Sequence, residues 1–432
     1  MKKGKVNIIL SMVLITALVG TLALTSGCSR QQAADAGKNL PAKDYILIGR
    51  VNPATGPIAG FGKGTPFIED KAVEAVNAEG GIYIKEYDKK LPVKIIVADS
   101  ESSDVKAAEA ANKLILQDKV DLMIATHTPA TVNPVAIASE RNKMPCITLE
   151  SPGEAWLEGG PYYWAFHSFW KVDSLIESFL DAMDTQETNK KIGLAAGNDT
   201  DGVLMSQIMA EKAPARGYTI VDPGRFPLGT KDFTSMIAKF KEEGCDIVYG
   251  NMITPDFMTM YKQFHQQSYV PKMLGMSRAI LFPTDVETLG DTGVGLITEV
   301  WWSENHPYKS SLTEQTAAEL CEMYTKETGE QAHAGLGYKH ANVEIAIDVL
   351  KKAQTLDKET LRQAIAETDL ETIVGHIKYD DQNFSELNVT IGQWQKGEKW
   401  PYEMVIFCNT KQQEVPVSDK PFVFPLPGTT QK

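Results

Sequence analysis

Short β-rich runs alternate with helical stretches along most of the chain. "YILIGRV" precedes a stretch around 67–78 in which Val73, Val76 and neighbouring alanines recur at helical spacing. "VKIIVAD" leads into the helical pattern "DVKAAEAANKLILQ" and "VDLMIAT" into "NPVAIASERN", and the series closes on "PCITL". Strand and helix in strict alternation predict parallel strands joined by right-handed crossovers, with helices on both faces of a sheet.

The rhythm restarts after Lys190. "KIGLAAG", "YTIVD", "CDIVYGN" and "PKMLGM" are each followed by a helical pattern, so a second α/β unit of similar size follows the first. Between the two lies the aromatic segment "PYYWAFHSFWKVDS". After "VGLITEVWWSENHPY" three helical stretches are expected, near 312–327, 336–353 and 358–367, and then strands and hairpins in "GHIKYDD", "NVTIGQWQKG" and "YEMVIFCN". The folded part, from Asp44 onward, is longer than one core usually supports, which also argues for two domains.

The N-terminus reads differently. "MKKGKVNIILSMVLITALVGTLALTSGC" has lysines, then an apolar run, then small residues ending at Cys28, the anatomy of an export signal over residues 1–27. The small residues followed by cysteine resemble the lipobox of bacterial lipoproteins, which implies lipidation of Cys28. Thr25, where a lipobox favours leucine, departs from that pattern. Residues 28–43 are polar and small, a flexible tether behind the anchor. No later segment is apolar enough to span a membrane.

Formal net charge is −13, and loss of Lys2, Lys3 and Lys5 with the signal makes it more negative. An acidic chain without basic runs argues against nucleic acid, and against anionic lipid beyond the anchor itself. Cys146, Cys245, Cys321 and Cys408 are far apart and form no metal motif; apolar surroundings at Cys146 and Cys408 suggest buried free thiols. His127, His167, His265, His306, His333, His340 and His376 show no HExxH or similar spacing, and no Gly-x-Ser-x-Gly occurs. A non-enzyme without cofactor or metal is the expectation.

The glycine-rich stretch "GRVNPATGPIAGFGKGTPF" tests one enzymatic alternative. Gly60, Gly62 and Gly64 are followed by Thr65 where a dinucleotide fingerprint needs its last glycine, and a Walker loop needs glycine where Pro57 stands. The pattern Pro53-x-Thr55-Gly56-Pro57, then Phe61-Gly62, then a helix ending "AVNAEGGI" instead resembles the opening of type I periplasmic solute-binding proteins, the family of the leucine/isoleucine/valine-binding protein. "VKIIVADSESSDVKAAEAANKLI", "DKVDLMIATHTPATVNPVA", "MPCITLESPGEAWLEGG", "GTKDFTSMIAKFKEEGCDIVYGNMITPDF" and "GLGYKHANVEIAIDVLKKA" extend the resemblance over nearly the whole mature chain. Each fragment is weak alone; their order and spacing are strong.

The resemblance implies an α/β fold of two doubly wound parallel-sheet lobes joined by three crossing segments, with a ligand cleft between them. The crossings fall near 165–170, 299–303 and 372–375. Lobe 1 then comprises 44–166 plus 302–372, and lobe 2 comprises 167–301 plus 373–432. Open α/β sheets bind ligands at the carboxyl ends of their strands, and the opening loop would line that cleft, with Phe61 covering the ligand.

Carried over position by position, the family's carboxylate seat corresponds to Thr128, Ala130 and Thr131 after the third strand and Glu150-Ser151 after the fourth. Pro129 replaces a serine, and Glu150 brings negative charge to the seat. The lobe-two acid that takes an amino group corresponds to Ser277-Arg278, a cation for an anion. Two family tyrosines correspond to Asp201 and Ile253. These departures favour a solute with an anionic group meeting Arg278 and an apolar part against Trp156, Phe169, Trp170 and Trp301. The bland alternative pairs Arg278 with Asp285 or Glu287, and alternation allows only one of Trp301 and Trp302 to face the cleft.

The resemblance implies a lipid-anchored, monomeric receptor on the outer face of the cell membrane. Its partners would be a small organic solute and the permease and ATPase subunits of an ABC importer. The solute is expected to be a carboxylate with an apolar or aromatic part. Branched-chain or other amino acids and quaternary ammonium compounds are alternatives, the latter through cation–π attraction. A ligand-sensing receptor domain is the alternative of another class; the chain's end at "VFPLPGTTQK", without a span or signalling domain, favours the importer.

Overall fold

The computed structural model describes residues 41–430; the expected signal and Cys28 lie outside them. The first sheet is built from β1 (Ile46–Asn52), β2 (Val93–Asp99), β3 (Leu122–Ala125), β4 (Cys146–Leu149) and β5 (Ala165–Phe169), all parallel, in the order β2-β1-β3-β4-β5. Burial on both faces makes β3, β4 and β5 wholly buried, the mark of a parallel sheet covered by helices. Those helices are α1 (Thr65–Ala78), α2 (Asp104–Leu116), α3 (Pro129–Arg141) and the short α4 (Gly153–Glu158). The Ser103 hydroxyl caps α2 by accepting from the Lys106 amide.

The chain then passes through α5 (Val172–Asp184) into the second sheet. Its parallel strands are β6 (Lys191–Gly197), β7 (Ile247–Asn251), β8 (Met273–Ser277) and β9 (Ile297–Val300), side by side in that order. α6 (Thr200–Lys212) and α7 (Thr254–Gln266) connect them, and the Asp199 carboxylate caps α6 through the Gly202 amide. In the first sheet β2 pairs on one side of β1 and β3 on the other; in the second, the short strand Thr219–Val221 pairs parallel to β6 and β7 pairs along β6 as well, so each lobe has a switch point, at β1/β3 and at β6/β7.

After β9 the chain returns to the first lobe at Trp301 and Trp302 and supplies α8 (Ala317–Thr328) and α9 (Gly335–Ala353), the latter packed on α1, β3 and β4. The last change of lobe differs from expectation. Residues 372–375 form the tight turn of a two-stranded hairpin that pairs Asp369 with Lys378, with Gly375 at φ 115°. The chain next adds β10 (Phe384–Glu386) in parallel to the outer edge of β5. It crosses only at 387–389, into β11 (Thr390–Lys396) and the antiparallel β12 (Tyr402–Cys408) of the second sheet. Residues 373–386 thus lie with the first sheet, not the second, and 167–169 likewise, as part of β5.

Cys146, Cys245, Cys321 and Cys408 are all buried and unpaired. Among the described residues no helix is long and apolar enough to cross a membrane. Among the same residues no group of three or more His, Cys, Asp or Glu side chains is placed to hold a metal ion.

Candidate functional site

The carboxyl ends of the strands gather most of the residues singled out in the sequence. In the first lobe β3 runs into Thr126, His127 and Thr128, and β4 into Glu150 and Ser151. His127, Thr128 and Glu150 have φ of 77°, 59° and 62°. Left-handed backbone is uncommon for non-glycine residues, and here it turns these side chains at the end of the sheet. The Thr128 amide donates to the Glu150 carbonyl at 2.8 Å, tying the two loops together. The hydroxyls of Thr128, Thr131 and Ser151 are buried and have no partner among the described residues. Ala130 lies in the first turn of α3, where a helix leaves its amides without intrahelical acceptors.

Glu150 is not a free negative charge. Its Oε2 lies 2.7 Å from His127 Nδ1, and the buried amine of Lys339, on the first turns of α9, faces the same spot. An ideal Cβ on Gly335 would lie 2.6 Å from Lys339 Nζ and 3.2 Å from Glu150 Oε1, so the absence of a side chain there lets the two approach. Burial pushes the Glu150 carboxyl up, but the close contact with the His127 ring and the charge of Lys339 hold it below its usual range. Desolvation lowers His127 to about 4 and Lys339 to about 8, the latter against the pull of Glu150. His127 is therefore neutral near pH 7, and Lys339 balances Glu150.

In the second lobe Arg278 follows β8 at φ 69°. Its Nη1 donates to Asp199 at 2.6 Å and to Asp201 at 3.1 Å, both at the start of α6. Its amide donates to Glu299 Oε1 at 3.2 Å. The guanidinium is thus already paired with two carboxylates, which corrects the expectation of a free cation awaiting an anion. It also replaces Asp285 as partner, since that carboxylate accepts from the Phe282 amide instead. Ser277 shares a hydrogen bond with Tyr249 at 3.2 Å. Burial raises Asp201 to about 6 and Glu299 to about 7. Three acids against one arginine make this wall acidic overall.

Aromatic rings join the two walls. Phe61 stacks on Trp301 at 6.1 Å between centroids and meets Phe282 of the second lobe edge-on at 5.1 Å. Trp301 meets Phe169 at 5.3 Å and Tyr338 at 6.4 Å, both edge-on, and Trp170 packs on Phe169 at 4.6 Å. The indole nitrogens of Trp170 and Trp301 and the Tyr338 hydroxyl are buried without a partner among the described residues. Between Phe61, Pro57 and Ile58 on one side and Ile253, Phe282 and Asp285 on the other lies a cavity of about 380 Å³.

One expectation needs adjustment, while the alternation expected for Trp301 and Trp302 holds. Trp156 is not part of this wall: it stacks on Tyr162 and His167 at 4.3 and 5.2 Å, within the first lobe's own packing. Trp302 points away from the cleft, against Gly337, with its indole donating to the Ile373 carbonyl at 2.8 Å. Residues that sequence reasoning passed over are Asp199, Glu299, Tyr338 and Lys339. Asp199 follows a strand end directly, a signal that was available. Lys339 sits in a helical run whose buried face gives no hint of a charge.

The sequence profile described as "Periplasmic binding protein" matches residues 46–399. Leu/Ile/Val-binding protein homolog 7 of Brucella suis biovar 1 (strain 1330) is 22% identical over 379 residues, covering 83% of this chain and 91% of the relative. The fold resembles the leucine binding protein LivK of Thermotoga maritima MSB8, with TM-score 0.71 and 18% identity over 83% of this chain and 97% of the other. It also resembles a solute binding protein of an ABC transporter from Rhodopseudomonas palustris BisB5 in complex with 3,4-dihydroxy benzoic acid. That match has TM-score 0.68 and 19% identity over 85% and 97% of the two chains.

Proposed function

The chain belongs to the periplasmic binding protein family, and from that premise we propose that it is a lipid-anchored receptor that closes on a small organic carboxylate with an apolar or aromatic part and delivers it to an ABC permease. Membership implies an extracytoplasmic location and a solute-binding role rather than catalysis. The observation that carries the reading is the set of buried hydroxyls of Thr128, Thr131 and Ser151, without partners among the described residues, at the strand ends beside the start of α3. Buried polar groups are almost always hydrogen-bonded, so these hydroxyls support a solute group that accepts from them. Lys339 removes the objection raised by Glu150, because a carboxylate seated there meets a balanced pair. Contacts from both lobes would make the closed form the one the solute selects.

A second reading rests on the acidic wall of Asp199, Asp201 and Glu299 around a single Arg278. That wall suits a solute with an ammonium group as well as a carboxylate, an amino acid. The two readings share the carboxylate seat and differ at the second lobe. Thermal melts of protein freed of carried ligand, run against leucine, isoleucine, 4-hydroxybenzoate and choline, separate them, because a ligand specific to the folded state raises the midpoint. A shift with the benzoate alone supports the first reading and a shift with the amino acids the second. A shift with choline alone overturns both.

A further inference from the structure

Behind the crossing segment, on the side that Trp302 faces, lies a cavity of about 370 Å³ that shares only Glu299 with the cleft walls described above. One wall comes from α8 and the approach to α9, at Cys321, Thr325 and His333, and the other from the β11–β12 hairpin, at Trp394, Trp400 and Met404. Elements of both lobes therefore line it. We infer that this cavity is an accessory binding site for a small neutral aromatic molecule of one or two fused rings.

The chemistry of the walls selects that class. The tryptophans at 302, 394 and 400 supply broad apolar surface, and the indole nitrogens of the first two are engaged elsewhere, with the Ile373 and Ile280 carbonyls at 2.8 and 2.7 Å. Glu403 accepts from the amides of Lys399 and Trp400 and from Lys420, so its charge is met within the wall. Gln331 donates to the Tyr402 carbonyl at 3.1 Å. His333 is buried, and desolvation with the nearby charge of Lys339 keeps its ring neutral. Glu304 and Lys399 also line the cavity, with opposite charges near Cys321, and the Glu299 carboxylate accepts from the Arg278 amide and the Thr298 hydroxyl, so no strong excess of either sign meets a guest, which disfavours ions. Aromatic faces in a concave site of this size suit a planar apolar guest.

Indole is the probe. The full chain in detergent is titrated with indole by calorimetry and by ligand-observed NMR, with the detergent-only titration subtracted. The variants are Val417→Trp, at a half-exposed position on the cavity rim, and Phe61→Leu, in the cleft. The site requires saturable one-to-one binding that Val417→Trp weakens at least tenfold and Phe61→Leu leaves within twofold. Absence of saturable binding up to the solubility limit of indole overturns the inference. So does binding that Val417→Trp does not weaken, or that Phe61→Leu abolishes, because the guest then sits elsewhere.

Discussion

Asp199 Oδ2 accepts from Arg278 Nη1 at 2.6 Å across the switch point of the second sheet. The arginine is 6% exposed, so its charge is answered within the protein before any solute arrives. Arg278→Ala should then act mainly on stability. Removing one partner of a buried ion pair leaves the other uncompensated, at about 3–5 kcal/mol. The expected outcome is a lowered unfolding midpoint in denaturant, with carboxylate affinity falling less than tenfold. A large loss of affinity at unchanged stability would show the guanidinium contacting solute directly.

The first-lobe hydroxyls should behave in the opposite way. Thr131→Val and Ser151→Ala remove hydroxyls that have no partner among the described residues. Each should weaken solute binding by about 1 kcal/mol, the net worth of a hydrogen bond, while the ligand-free melting temperature stays level or rises. Calorimetry with the identified solute, beside melts without it, checks both halves.

Lys339→Met tests how Glu150 is tolerated. Without the buried amine the carboxylate is left with the neutral His127, so an anionic solute should bind at least tenfold more weakly at pH 8. Affinity should recover in part at pH 5.5 as Glu150 takes up a proton. A loss independent of pH would assign Lys339 a packing role instead.

Glu299 gives a signed pH dependence. Burial raises its folded value to about 7, against an ordinary 4.5. The folded state binds the extra proton between those values, so this residue's contribution to stability is fully present below about 4.5 and is lost as pH rises through about 7. The stability difference between wild type and Glu299→Gln should therefore favour wild type most at low pH and shrink toward pH 8. Denaturant midpoints of the pair at pH 5, 6, 7 and 8 give the comparison, and the histidine titrations common to both proteins cancel.

Cys28→Ser should release the exported protein from the membrane fraction. Mass spectrometry of the mature N-terminus of the wild type should find the cysteine diacylglyceryl-modified.

Much of the fold was legible because parallel sheets impose a rhythm. Strands such as "CDIVYGN", buried on both faces, stand out as apolar runs. The third crossing was not. Thr372 to Gly375 reads like a break between domains, while β10 is only Phe384–Glu386, too short for a periodic signal, and its parallel partner lies over two hundred residues earlier. Strand-end positions for Thr128, Glu150, Asp201 and Arg278 could be read from the order of elements. Their partners could not. Asp199 and Asp201 reach Arg278 from almost eighty residues away, and Lys339 reaches Glu150 from a separate helix. Contacts of that kind depend on tertiary register, which a single sequence does not display.

Trp301 and Trp302 are neighbours whose side chains leave the crossing segment in opposite directions, one into the aromatic wall of the cleft and the other into the cavity behind it. The segment is a seesaw with an indole on each arm. Because the two residues share one peptide plane, a rotation of that plane on solute binding would displace both rings, and the Trp302 indole, held to the Ile373 carbonyl, would register it.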